Sequence, residues 1–242
     1  MSSRKAGITV RQIGSEIPTV RATMSRSIRP TILMGSEDYI VYVVDDDVRM
    51  CEALRELFTS LDVASVTFGS VAEYVAYTKP DLPACLILDV ELPDISGLDF
   101  QRQLADAYHP PIVFITGHGD IPSSVRAIKA GAVDFLAKPF SQPDLMAAIE
   151  AAIARDRHAR LERAERARLQ ERYSSLTPRE SQVLPLIVSG LLNKQAAELG
   201  ISEVTLQIHR SRIMQKMAAA SFADLVRMAG QLNIALERRT QQ

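Results

Sequence analysis

The central part of the chain alternates short apolar runs with stretches in which apolar residues recur every three or four positions. The runs have the length of β-strands and comprise residues 40–44, 64–68, 84–88, 112–115 and 133–136. The periodic stretches predict helices over residues 48–60, 71–77, 97–107, 121–130 and from 143 onward. Strands that are apolar throughout indicate a parallel sheet covered on both faces. Right-handed crossovers then build a doubly wound α/β domain with five strands, whose ligands bind beyond the carboxyl ends of those strands.

The last helix of this domain continues far beyond its apolar part. Residues 144–172 contain no Gly or Pro, and Arg, Glu and Ala dominate residues 155–172. Two acid-first pairs at i and i+4, Asp156 with Arg160 and Glu162 with Arg166, are typical of an exposed helix. We expect a long, solvated linker helix. A dimeric coiled coil is the alternative, although the apolar heptads are not sustained.

The C-terminal part predicts an all-α domain of four short helices that contains a helix-turn-helix. Thr177 begins the first helix with a capping box, and Pro185 inside that helix should kink it or remove a hydrogen bond. A short helix over 193–199 follows, Ser202 caps a helix over 203–217, and Ser221 caps a final helix to about residue 236. The predicted organisation is a mobile tail (1–38), an α/β domain (39–152), a helical linker (153–173), a helical domain (174–238) and a short tail (239–242).

Charge separates the two predicted domains. Residues 38–150 hold 7 Lys and Arg against 18 Asp and Glu, a net charge of −11, whereas residues 151–242 hold 15 against 9, a net charge of +6. The basic C-terminal part is a candidate for binding nucleic acid, although a solvated surface gives the same charge.

The chain shows no signal for a membrane or a disulfide. Its apolar runs are too short to span a bilayer, and no stretch has the order of a signal peptide. Cys51 and Cys85 lie in a predicted helix and a predicted buried strand. We expect free thiols in a reducing cytoplasm rather than a disulfide or a metal site.

Polar residues follow four of the predicted strands. Asp45 and Asp46 follow the first strand, Asp89 the third, Thr116 the fourth and Lys138 the fifth. Since the carboxyl ends of parallel strands share one edge, we expect these side chains to lie together. Clustered carboxylates raise one another's pKa values unless a cation neutralises them, and an oxygen-rich site with access to water suits Mg²⁺.

A divalent cation at this edge would allow Asp89 to attack a phosphoryl group. The ion and the Lys138 ammonium would screen the incoming charge, and the Thr116 hydroxyl would hydrogen-bond a phosphoryl oxygen. The acyl phosphate adds negative charge and acceptor oxygens at one point, which is typical of a switch.

The same residues stand in motifs that resemble response-regulator receiver domains, above all the Fix type named for nitrogen-fixation regulators. The likeness covers about residues 39–152 and rests on Val43-Val44-Asp45-Asp46, Leu88-Asp89 with Pro93 and Gly97, Ile115-Thr116-Gly117-His118-Gly119-Asp120, Lys129-Ala130-Gly131-Ala132-Val133-Asp134-Phe135 and Lys138-Pro139-Phe140.

This resemblance implies a role for each matching residue. Asp89 is the expected phosphoacceptor, and a sensor histidine kinase is the expected donor of the phosphoryl group. The expected Mg²⁺ ligands beside it are Asp46 directly, Asp45 through water and the backbone carbonyl of Glu91. Thr116 and Lys138 would contact the phosphoryl group, and Phe135 would change rotamer together with Thr116 in the switch.

Residues 174–238 resemble the LuxR-type helix-turn-helix. The matching residues are Leu176-Thr177-Pro178-Arg179-Glu180, Val183-Leu184, Gly190-Leu191-Leu192-Asn193-Lys194, Leu199-Gly200-Ile201-Ser202, Thr205-Leu206 and His209-Arg210. Ser202 would cap a helix whose first turns enter the major groove, with Leu206, Ile213 and Met217 facing the core.

The resemblance also assigns the contacts with double-stranded DNA. The residues expected at base edges are Gln207, Ile208 and Ser211. Those expected near phosphates are Lys194, Thr205, His209, Arg210 and Arg212. Gln pairs with adenine and Ile touches a thymine methyl group. The final helix carries an apolar stripe at Phe222, Leu225, Val226 and Ala229, which packs in the core or dimerises the domain.

Together the two resemblances imply a non-enzymatic, cytoplasmic response regulator that forms a homodimer when phosphorylated and regulates transcription. One alternative is a magnesium-dependent phosphatase, since Asp89-Val90-Glu91 superficially fits its Asp-x-Asp pattern. A second alternative is an interaction module that does not bind DNA. The chain has one residue fewer between Gln195 and Glu198 than is usual in the family, which favours this second alternative.

Overall fold

A computed structural model describes residues 39–104, 108–117, 121–189 and 202–234. The tail over 1–38, the short helix expected at 193–199, Lys194 and Gln195 lie outside the described residues. None of the described helices is long and apolar enough to cross a membrane.

The N-terminal domain is the predicted five-stranded parallel sheet, with strand order β2-β1-β3-β4-β5. Its strands are β1 (Ile40–Val44), β2 (Ser65–Phe68), β3 (Ala84–Asp89), β4 (Ile112–Thr116) and β5 (Asp134–Ala137). Its helices are α1 (Val48–Ser60), α2 (Val71–Ala76), α3 (Gly97–Leu104), α4 (Ile121–Lys129) and α5 (Gln142–Ser174).

Two apolar cores cover the two faces of the sheet, because alternate residues of each buried strand point to opposite sides. One core places Leu54 and Phe58 of α1 and Ile149 of α5 against the sheet. The other places Tyr74 of α2 and Phe100 of α3 on the opposite face. Cys51 and Cys85 are buried free thiols in the first of these cores, as predicted.

Helix α5 connects the two domains without a break. Its first turns pack on the sheet through residues such as Leu145 and Ile149, and all of residues 161–168 are exposed. At its far end Leu169 is buried in the core of the helical domain. The solvated part of the linker is therefore shorter than the predicted 153–173, since both ends of that segment are packed.

Three of the four predicted C-terminal helices lie within the described part of the chain. They are α6 (Pro178–Val188), α7 (Glu203–Met217) and α8 (Phe222–Gln231). The predicted caps are present, with Thr177 forming a full capping box and with Ser202 and Ser221 accepting from backbone N–H groups.

Several predicted ends were wrong by a few residues. Strand β5 starts and ends one residue later than predicted, and α8 ends at Gln231 rather than near residue 236. The helix stops because the chain turns at Asn233, which has a positive φ of 51°. Pro185 lies inside α6, where it supplies no N–H, and the helix continues to Val188.

Candidate functional site

The candidate site lies at the carboxyl edge of the sheet, where four strands bring their polar residues together. Asp45 follows β1, Asp89 ends β3, Thr116 ends β4 and Lys138 follows β5. The parallel register aligns these ends, since Val44 pairs with Leu88 and Thr116 pairs with Ala137.

Three carboxylates converge there. Asp45, Asp46 and Asp89 each offer an oxygen atom, and these oxygens lie within 4.8 Å of one another. Asp45 and Asp89 are buried, whereas Asp46 is exposed. The cluster is thus open to water on one side, which suits a partly hydrated hard cation such as Mg²⁺.

Lys138 bridges the two buried carboxylates. Its Nζ lies 2.6 Å from Oδ2 of Asp45 and 2.7 Å from Oδ2 of Asp89. Backbone N–H groups bind the other oxygens, because Asp47 N–H donates to Asp45 Oδ1 at 2.9 Å and Glu91 N–H donates to Asp89 Oδ1 at 3.0 Å. Both carboxylates are therefore held in fixed orientations.

The positive charge of Lys138 does not cancel the charges of the three carboxylates. Burial raises the pKa of Asp45, although the hydrogen bonds from Lys138 and Asp47 act in the opposite direction. Burial alone would lower the pKa of Lys138, but its hydrogen bonds with Asp45 and Asp89 outweigh that effect and raise it. One ammonium thus faces three carboxylates, which leaves the site complementary to an added cation.

Three further residues were predicted to belong to the receiver site, namely Thr116, Glu91 and Phe135. Thr116 is buried, and its carbonyl accepts a hydrogen bond from the N–H of Lys138 at 2.7 Å. Glu91 is exposed beside Asp89. Phe135, on β5, is half-buried with its ring centroid 6.2 Å from that of Phe114.

The predicted DNA-contacting residues lie on α7, except Lys194, which lies outside the described residues. Leu206, Ile213 and Met217 are buried, as their spacing predicts. The exposed members are Thr205, Gln207, Ile208, Ser211 and Arg212, whereas His209 and Arg210 are half-buried. The Arg210 guanidinium carbon lies 4.7 Å from the centroid of the Phe222 ring.

Sequence reasoning missed a polar network on α5. Asp156, expected on an exposed face, is fully buried. It accepts hydrogen bonds from the N–H of Ala84 at 3.0 Å, the hydroxyl of Tyr108 at 2.7 Å and Nε of Arg160 at 2.7 Å. The only signal in the sequence was the i,i+4 pairing with Arg160, which exposed helices share.

Two family models match the chain. The response regulator receiver domain matches residues 41–150, and the bacterial regulatory proteins of the luxR family match residues 174–229. Nodulation protein W of Bradyrhizobium diazoefficiens is 50% identical over 209 residues, which are 86% of this chain and 92% of that protein. The chain is a response regulator with a LuxR-type DNA-binding domain.

Further relatives agree with this membership. The transcriptional regulatory protein FixJ of Azorhizobium caulinodans is 40% identical to this response regulator over 195 residues, 80% of this chain and 92% of that protein. The solved structure of the response regulator StyR matches with a TM-score of 0.68 at 44% identity, covering 81% of this chain and all of that one. Homology to transcriptional regulators favours a non-enzymatic role over the phosphatase alternative.

Proposed function

We propose that this response regulator accepts a phosphoryl group on Asp89 from a sensor histidine kinase, dimerises, and binds double-stranded DNA in the cytoplasm to regulate transcription. One observation carries the proposal. Asp89 lies 2.7 Å from Lys138 and belongs to a cluster of three carboxylates at the edge of the sheet.

The donor set of this cluster fits Mg²⁺. In the proposal Asp46 and Asp89 would hold the ion directly, Asp45 would hold it through water, and Glu91 would contribute its backbone carbonyl. Bound Mg²⁺ would neutralise these carboxylates together with the incoming phosphoryl oxygens. Exposure of Asp46 supports this arrangement, because it leaves a route for both the ion and the phosphodonor.

Residues of the chain then carry out the phosphoryl transfer. An oxygen of Asp89 attacks phosphorus, an O–P bond forms, and the N–P bond of phosphohistidine breaks with its electron pair leaving on the imidazole nitrogen. Lys138 exchanges its contact with Asp89 for one with a phosphoryl oxygen. The Thr116 hydroxyl donates to another phosphoryl oxygen.

After phosphorylation of Asp89, movement of Thr116 and Phe135 would alter the surface formed by α4, β5 and α5. The apolar side chains Val125 and Ile128 of α4 are 44% and 46% exposed, which supports an interface between two receivers there. Phosphorylation then shifts the population toward the dimer. In this scheme the receiver spans 39–152, the linker 153–173 and the DNA-binding domain 174–238.

Helix α7 is the proposed recognition helix. Gln207, Ile208 and Ser211 are exposed along it and would meet base edges in the major groove. Lys194, Thr205, His209, Arg210 and Arg212 would lie near phosphates. Because His209 and Arg210 are half-buried, only the outer part of each side chain would be available to contact DNA.

Mass spectrometry after incubation with acetyl phosphate and Mg²⁺ tests the proposal. The wild-type protein should gain one phosphoryl group, Asp89→Asn should gain none, and the neighbouring exposed Asp94→Asn should behave as wild type. Chelation of Mg²⁺ should abolish the gain. Phosphoryl incorporation into Asp89→Asn would overturn the assignment of Asp89.

A further inference from the structure

Two apolar side chains are exposed on α7, the proposed recognition helix. Val204, which the sequence did not single out, is 71% exposed, and Ile208 is 47% exposed. Within the described residues 174–189 and 202–234, no other large apolar side chain is exposed. A single exposed apolar residue is common on protein surfaces. These two, however, lie one helical turn apart, so that they form an apolar pair on one face of the helix.

A cap fixes the point at which α7 begins. The Ser202 hydroxyl accepts a hydrogen bond from the N–H of Thr205 at 3.2 Å, and the helix starts at Glu203. Val204 is therefore the second residue of the helix. It lies in the first turn, which in helix-turn-helix proteins is the part of the recognition helix that contacts base edges in the major groove.

Val204 shares a face of the helix with residues that we propose to meet base edges. An α-helix turns by about 100° per residue, which places Val204 about 20° from Ser211 and about 40° from Ile208 around the helix axis. Leu206 and Ile213, which are buried in the core of the domain, lie on the opposite side of the helix. The apolar pair is therefore at the centre of the outward face.

The polar residues on either side of the apolar pair favour DNA, rather than a protein, as its partner. Thr205 and Arg212 are exposed on one side of Val204, about 100° and about 80° around the axis. Gln207 is exposed on the other side, about 60° away. Such flanks suit phosphates and base edges. An apolar surface between them suits the thymine methyl group, which is the apolar group that bases present in the major groove.

We propose that Val204 is a further specificity-determining residue, and that Val204 and Ile208 contact the methyl groups of two thymines in the DNA site. This inference rests on the proposed function of α7 as the recognition helix. One helical turn separates the two residues by about 6 Å along the axis, which corresponds to about two base-pair steps of about 3.4 Å. Each half-site should therefore contain two thymines about two base pairs apart.

Removal of single methyl groups from the DNA tests this assignment. DNA selected from a random pool by the phosphorylated full-length protein is resynthesised with one thymine at a time replaced by deoxyuridine, and its affinity is measured by fluorescence anisotropy. Replacement of the thymine that contacts Val204 should weaken wild-type binding about fourfold, as the burial of one methyl group predicts. Val204→Ala should lose its sensitivity to that replacement and keep the sensitivity at the thymine that contacts Ile208.

Three further measurements control this experiment. Ile208→Ala should show the reciprocal pattern, with sensitivity lost only at the other thymine. Val75→Ala makes the same substitution at a 60% exposed position of the receiver and should leave every affinity unchanged. Because Val204 is exposed, Val204→Ala should unfold at the same temperature as wild type. A lower melting temperature would show that Val204 packs within the domain and would contradict its role at the interface.

The outcomes separate this inference from the proposed function. If wild type binds the DNA but no deoxyuridine weakens its binding, or if Val204→Ala keeps every sensitivity of wild type, the inference is overturned and the proposed function stands. Equal weakening of all DNA sequences by Val204→Ala would place the residue at the sugar–phosphate backbone and would also overturn it. Failure of the phosphorylated wild type to bind any DNA would contradict the proposed function, and this inference with it.

Discussion

Gly97 has no room for a side chain, because a Cβ atom there would lie 2.2 Å from the backbone oxygen of Asp89. The start of α3 therefore packs directly on the residue that we propose as phosphoacceptor. We expect Gly97→Ala to destabilise the receiver by about 3 kcal/mol, as overpacking against fixed backbone does. Urea denaturation measures the change.

Gly230 is the matched control for this substitution. It lies in α8, and a Cβ atom there meets nothing within 4 Å. Gly230→Ala should stabilise the protein by about 0.5–1 kcal/mol, because alanine favours the helix. Equal effects of the two substitutions would show that close packing at Asp89 is not what requires glycine at position 97.

At the scale of elements, the buried carboxylate of Asp156 adds a polar anchor to the apolar packing of α5 on the sheet. Asp156→Ala would leave the Ala84 N–H, the Tyr108 hydroxyl and Arg160 without their shared acceptor. We expect a loss of about 3 kcal/mol in the free energy of unfolding. Glu162→Ala removes an exposed acid from the same helix and should change stability by less than about 0.5 kcal/mol. Similar losses in both variants would contradict the anchoring role.

Glu180 connects α6 with α7 in the DNA-binding domain. The hydrogen bond from Lys216 at 2.6 Å, together with that from the Thr177 N–H, lowers the pKa of Glu180 to about 2 from the usual 4.5. A lowered pKa in the folded state adds stability above pH 4.5, and this stability is lost as the pH falls from 4.5 toward 2.

Glu180→Gln should therefore lower the free energy of unfolding by about 2 kcal/mol at neutral pH, after allowance for solvent screening. The difference from wild type should shrink steadily on acidification through this range. Thermal unfolding at a series of pH values measures it, with the exposed Glu171→Gln as control. A difference that does not depend on pH would mean that the ion pair with Lys216 is not its source.

The strands, the helices and the cluster of carboxylates at the carboxyl edge of the sheet were predictable from the sequence, because apolar runs, helix caps and strand ends are local signals. Asp89 and Thr116 were expected just after their strands, and the structure includes each as the last strand residue. Burial of Asp156 was not predictable, since its partners Ala84 and Tyr108 are 72 and 48 residues away in the chain. The contact of Arg210 with Phe222 was not predictable either, because the two residues lie on different helices and their packing leaves no local signal in the sequence.

For the whole molecule, the basic helical domain should bind DNA largely through phosphates. Arg212 is exposed on α7, so Arg212→Ala should reduce the slope of log affinity against log salt by about 0.9 without changing stability. Arg210→Ala should weaken binding and also lower stability, because Arg210 packs on Phe222. Fluorescence anisotropy across a salt series measures both variants. An unchanged slope for Arg212→Ala would remove this residue from the interface.

Control of DNA binding by Asp89 is the central claim, and the most direct test is the affinity of the full-length protein for DNA selected from a random pool. Affinity should be measured in Mg²⁺ with and without acetyl phosphate, for wild type and for Asp89→Asn. We predict that the phosphodonor tightens binding by wild type and promotes its dimerisation, and that it leaves Asp89→Asn unchanged. An equal response of the two proteins, or no response of a fully phosphorylated wild type, would contradict the account.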